Sequence, residues 1–130
     1  MSPAMWLDIL LIWLGGGFGA LARFGVQQLH IFDNDKYYYT IGINLTGCMA
    51  IGILWALFLH FNVPKSWYLF LITGFLGGYT TYSAFTLDAL LLMQNGRWLM
   101  MLAYVAITVI GGLGLCGMGL FATEKILKMI

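Results

Sequence analysis

Charge is what this sequence has least of. Six Lys+Arg and five Asp+Glu amount to 8% of 130 residues, against roughly 25% in soluble domains. A soluble domain of this size cannot cover itself with so few charges. That excludes a soluble enzyme and a disordered chain. The cations form no basic patch, so nucleic acid is not a partner. Cysteines number only two, Cys48 and Cys116, each deep in apolar sequence. Redox motifs and zinc sites need clustered thiols, so both read as small packing residues. His30 and His60 fall at segment ends, which leaves no Ser–His–Asp set and no metal-ligand cluster. No ionisable group sits mid-segment, which argues against proton-coupled antiport.

What is present is apolar: 62% of the chain is hydrophobic. Four membrane-spanning helices of ~20 residues each would use ~80 residues, about that whole stock. Uncharged runs of 14, 28, 22 and 26 residues separate Asp8 from Arg23, Lys36 from Lys65, Lys65 from Asp88, and Arg97 from Glu124. The expected fold is therefore an all-α membrane protein, one four-helix transmembrane domain over 1–130. Its spans run over about 6–28, 37–60, 66–93 and 98–126, and no residues are left for a separate extramembrane domain. Ala20-Leu21-Ala22 resembles a signal-peptide cleavage site. A positive n-region is missing, however, so the first segment is read as a retained span. Tyr37-Tyr38-Tyr39 and Trp67-Tyr68 suit membrane interfaces, and Val63-Pro64 interrupts the chain between spans. The cations divide three and three between the two sides, giving almost no positive-inside bias. Either another subunit sets the orientation, or the chain inserts both ways, from which an antiparallel dimer follows.

Some residues stand out against this apolar background. Gly15 and Gly19 form a GxxxG pair that lets helix backbones approach closely. Arg23 either snorkels to headgroups or marks the mouth of an anion path. Asn44 is the one strongly polar side chain at depth in the second span; it either bonds a neighbouring helix or meets a polar permeant. The third span carries Gly77-Gly78-Tyr79-Thr80-Thr81-Tyr82-Ser83. Adjacent glycines cost a helix ~1 kcal/mol each. An interruption at Gly77-Gly78 would free backbone groups that must line a cavity or bind an ion; the alternative is a close helix crossing. Tyr82 and Phe85, three apart, share a face and can offer positively polarised ring edges to an anion. In the fourth span Tyr104, Thr108, Gly112 and Cys116 form one stripe, hydroxylated above and small below.

These residues resemble the small bacterial fluoride channels of the Fluc (CrcB) family over the whole chain. Gly16-Gly17-Phe18-Gly19-Ala20-Leu21-Ala22-Arg23 is similar to GGxxGAxxR. Thr40-Ile41-Gly42-Ile43-Asn44-Leu45-Thr46-Gly47 is similar to TxxxNxxG. The segment from Gly74 to Phe85 is close to GFxGGxTTFSTF. The resemblance implies an antiparallel, dual-topology dimer in the inner (plasma) membrane of a prokaryote, exporting fluoride passively. It implies a sodium ion at the dimer centre, held by the backbone carbonyls of Gly77 and Thr80. It places Asn44, Tyr82, Ser83, Phe85, Tyr104, Thr108 and Arg23 along the fluoride path, and Asp88 at a vestibule. The partners implied are fluoride, lipid, and either a second copy or a paralogous subunit. Tyr82, Ala84, Gly112 and Cys116 depart from the pattern, which keeps open a subunit of a heterodimeric channel with relaxed pore positions. A four-span multidrug exporter would need a glutamate within residues 9–22, and there is none.

Overall fold

The structure, a computed structural model, describes residues 1–32 and 35–130. Helix α1 (Pro3–Gln27) starts ahead of the apolar run because Ser2 caps it. The Ser2 hydroxyl accepts the Met5 amide at 3.4 Å, and Pro3, which has no N–H to lose, takes the first helical position. Helix α2 (Tyr37–Phe61) stops where Asn62 turns left-handed at φ 48°. After Pro64 comes a composite segment: a helical turn, α3 (Lys65–Trp67), a nine-residue π-helix, π1 (Tyr68–Leu76), and a second short turn, α4 (Gly77–Tyr79). Thr80 and Thr81 are extended, with ψ 156° and 111°, and α5 (Tyr82–Gln94) begins afresh. Gly96 at φ 73° turns the chain into α6 (Trp98–Leu127).

Helices α1, α2 and α6 are each long and apolar enough to cross a membrane. At 1.5 Å per residue, 25 residues reach ~37 Å, more than the ~30 Å hydrocarbon core. Their outward faces are apolar too: Trp13 and Leu21 on α1, Leu59 and Phe61 on α2, and Ile110 and Leu113 on α6 are largely exposed. Such an outside belongs in lipid. The protein is thus an all-helical membrane protein.

Two close pairings organise it. Helix α1 lies along π1 and α4 in the same direction, and the contact is backbone on backbone. A Cβ added at Gly15 would collide with the Phe70 carbonyl oxygen, one at Gly19 with that of Phe75, and one at Gly78 with that of Gly16. The close approach expected of Gly15 and Gly19 is therefore there, and its partner is the π-helical stretch. Helix α2 lies along α6, also in parallel. Here Gly52 faces the Cys116 carbonyl, and a Cβ at Gly119 would stand 2.6 Å from the Met49 carbonyl oxygen. A cluster of Tyr37, Phe85, Leu92 and Tyr104 joins α5 to α2 and α6. Among the described residues, ion pairs sit only at the ends: Lys65 to Asp8 at 2.7 Å, and Arg97 to Asp35 at 3.7 Å. Both are partly solvated and add little stability.

One expectation is corrected. The helical backbone does not break at Gly77-Gly78; Gly77 has φ −61° and ψ −37°. The interruption lies three residues on, at Thr80-Thr81. Gly78 instead gives clearance to α1. The interruption falls where other side chains offer hydrogen bonds that replace the helical ones.

Candidate functional site

Thr81 is where those replacements act. Its amide donates to Asn44 Oδ1 at 2.7 Å, and its carbonyl accepts from Asn44 Nδ2 at 3.0 Å. One side-chain amide from α2 thus satisfies both backbone groups of an extended residue, as a neighbouring strand would. The same pairing fixes which end of Asn44 is oxygen and which is nitrogen. The Thr81 hydroxyl then accepts the Ala84 amide at 3.1 Å and caps α5. Both residues are buried, Asn44 at 8% and Thr81 at 7% exposure. At this depth an unpaired backbone group would be costly.

This bonding has a consequence for two carbonyls. In an α-helix the Gly77 oxygen would accept from the Thr81 amide, and the Thr80 oxygen from the Ala84 amide. The first amide goes to Asn44 and the second to the Thr81 hydroxyl. The Gly77 and Thr80 carbonyls are thereby released from the helical ladder. Neither has another hydrogen-bond donor among the described residues.

Both residues line a pocket of about 400 Å³, together with Asn44, Cys48, Thr81, Tyr82, Phe85 and Thr108. Among the described residues, no ionisable carboxylate or amine lines it. The Phe85 ring stacks on Tyr104, centroids 5.4 Å apart, and Tyr104 meets Tyr37 edge-on at 6.0 Å. That fixes Phe85 in the wall. Tyr82 stands at the rim, 78% exposed, its ring 5.8 Å from Phe85.

The structure therefore brings Asn44, Gly77, Thr80, Tyr82, Phe85 and Thr108 together. It leaves three of the predicted residues off the pocket wall. Tyr104 lies behind Phe85, 2% exposed, with its hydroxyl donating to Asp88 Oδ2 at 3.1 Å. Ser83 is exposed on α5, its Oγ 3.3 Å from the Thr81 hydroxyl. Arg23 is half-buried on α1 and makes no ion pair among the described residues. Thr81, in contrast, received no role from its sequence. The signal was available: a threonine opening an apolar helical run is an N-cap pattern. Cys48, read as packing, also faces the pocket.

What the pocket can do follows from its donors and acceptors. The Asn44 amide nitrogen carries two hydrogens and one goes to Thr81. The other is a neutral donor to an anion. The wall aromatics offer positively polarised ring edges. Two released carbonyls suit a small hard cation. A chargeless lining of this kind can hold a small ion without trapping it.

Comparison with known proteins points the same way. Residues 10–120 match the family described as CrcB-like protein, Camphor Resistance (CrcB). A Pseudomonas putida (strain F1) protein named fluoride-specific ion channel FluC is 41% identical over 113 residues, 85% of this chain and 91% of the relative. Proteins of the same name from Pseudomonas fluorescens (strain Pf-5) and Desulfotalea psychrophila are similar as well. The former is 39% identical over 119 residues, 89% of this chain and 96% of its own. The latter is 34% identical over 132 residues, 98% of each chain.

Proposed function

The chain belongs to the CrcB family, and from that membership we infer that it is a fluoride channel, not an enzyme, spanning the plasma membrane several times. It lets fluoride leave the cell down its own gradient. The observation that carries this reading is the Asn44–Thr81 pairing, which builds a chargeless pocket with one spare amide donor. Fluoride is small and strongly hydrated, so a passage must replace much of its shell. Asn44 supplies an N–H, and Phe85 and Tyr82 supply ring edges. A lysine or arginine in the pocket would hold the ion too tightly to release it.

The composite segment from Lys65 to Gln94 crosses the membrane as a fourth span, interrupted at Thr80-Thr81. An inverted second copy closes the open side of the pocket. The near-even division of cations between the two sides supports insertion in both orientations. The Gly77 and Thr80 carbonyls fit a sodium ion, because both are released from the helix and line the pocket. Such an ion would supply a steady positive field beside the path.

The test is ion release from vesicles carrying only this polypeptide. In sodium-containing vesicles, fluoride efflux is expected to exceed chloride efflux by about a hundredfold or more, a barrier difference of ~2.7 kcal/mol. Comparable chloride flux would refute the selectivity. Replacing sodium by a bulky organic cation is expected to lower fluoride flux sharply; unchanged flux would remove sodium from the reading. Phe85→Ile keeps an apolar side chain but removes the ring edges and the stacking on Tyr104. It is expected to slow fluoride efflux about tenfold while the protein still elutes as a single species.

A further inference from the structure

The hydroxyl groups around the pocket have few hydrogens left to offer an anion. The Thr80 hydroxyl donates to the Leu76 carbonyl at 2.8 Å, and the Thr108 hydroxyl to the Tyr104 carbonyl at 2.8 Å. Behind the wall, the Tyr104 hydroxyl donates to Asp88. Apart from the hydroxyl of Tyr82, whose ring stands 78% exposed at the rim, two lining donors have no acceptor among the described residues. One is the second N–H of Asn44, a side chain more than nine-tenths buried. The other is the Cys48 thiol.

Their placement is not accidental to the helix. Asn44 and Cys48 are four apart on α2, one above the other on the same face, and both line the pocket. Across from Cys48, α6 presents Gly112. A Cβ on that glycine would lie 3.2 Å from Cys48 Sγ. The thiol therefore occupies the space that a side chain at 112 would fill, one turn beyond Thr108. From the sequence, Gly112 looked like a gap in the polar stripe of α6. The structure fills that gap from α2.

Resting on the channel reading above, we propose that Cys48 is a further lining residue of the fluoride path, its thiol donating to the ion at the level where Gly112 offers nothing. A thiol is a weak neutral donor. It continues the row that Asn44 starts without adding a charge that would hold the ion back.

The test uses methyl methanethiosulfonate on the full chain in sodium-containing vesicles. The Cys48 thiolate attacks the sulfenyl sulfur of the reagent. A mixed disulfide forms, the S–SO₂ bond breaks, and methanesulfinate leaves. The reagent reaches thiols through water, so labelling reports water at the thiol. Treatment is expected to add one methylthio group at Cys48 by mass spectrometry and to cut fluoride flux about tenfold. In Cys48→Ser, treated and untreated flux should be equal, while Cys116→Ser should stay sensitive. Cys48→Val, which fills the space without a donor, is expected to conduct about fivefold more slowly than Cys48→Ser. Three results would each overturn the assignment: an unlabelled Cys48, a labelled Cys48 with undiminished flux, or equal rates for the Ser and Val variants. Absence of fluoride flux before any treatment would overturn the channel reading itself; normal flux with an inert Cys48 overturns this assignment alone.

Discussion

Asn44→Asp is expected to reduce fluoride efflux from vesicles by at least about a hundredfold. The substitution changes one atom's chemistry and almost no volume. It keeps an oxygen that can accept the Thr81 amide, now held at 2.7 Å. It removes the Nδ2 donor that reaches the Thr81 carbonyl at 3.0 Å and sets a second oxygen against that carbonyl instead. A buried carbonyl left unpaired costs ~1–3 kcal/mol. The spare N–H that would meet the anion is also gone. If the new carboxylate ionises, it repels fluoride within the pocket; if it stays protonated, its single hydrogen can serve Thr81 or the ion but not both. Either state loses the path. Asn44→Leu loses both bonds to Thr81 and is expected to be less stable as well as inactive. Flux within about threefold of the unmodified protein in Asn44→Asp, with normal elution from a sizing column, would show that this pairing does not control conduction.

The second large effect concerns assembly of the chain rather than conduction. Gly19→Val is expected to destabilise the protein by about 3 kcal/mol or more, beyond ordinary overpacking. The new Cβ would collide with the Phe75 carbonyl oxygen and would stand 2.9 Å from the Tyr79 amide nitrogen. Both are backbone atoms, so no side-chain rotation relieves the clash. Relief requires α1 to back away from π1 and α4, which also moves the chain entering Thr80. Gly17→Ala is the internal control: nothing lies within 4 Å of its new methyl, and a helical alanine is ~0.5–1 kcal/mol better than glycine. Thermal loss of the monodisperse species in detergent measures both. Equal midpoints for the two variants would mean that α1 does not pack as described.

Much of the architecture was legible because lipid imposes a simple rule: charge marks the ends, and its absence marks the middle. The runs between Asp8 and Arg23 and between Arg97 and Glu124 locate α1 and α6 by that rule alone. Asn44 was legible for the same reason, as the lone amide at depth. The position of the interruption was not. Gly77-Gly78 drew attention because glycine weakens helices, yet a weak helix still forms when nothing competes for its amides. Competition arises at Thr81, and its agent, Asn44, lies 37 residues away in sequence. Local propensity cannot report a rival that distant. The two readings offered for the glycines, an interruption or a close crossing, turn out to be neighbours: Gly78 makes the crossing and Thr80-Thr81 the interruption. The place of Cys48 on the pocket wall was not legible for a related reason. Spacing along α6 showed a gap at Gly112, but nothing in one helix's spacing tells which atom of another helix fills it.

The nine-residue π-helix has a bearing on everything downstream of it. Each of its turns closes from residue i to i+5, taking in one more residue than an α-helical turn does. Ahead of it, Lys65 is tied to Asp8; beyond it, Gly78 must rest on α1 while Thr81 aims at α2. The widened coil works as a vernier between those fixed marks, setting the azimuth at which the two threonines emerge. Along Tyr68–Leu76, then, the number of residues governs that azimuth more strictly than their identity, and one residue fewer would swing the threonines off their bearing even with every remaining side chain intact.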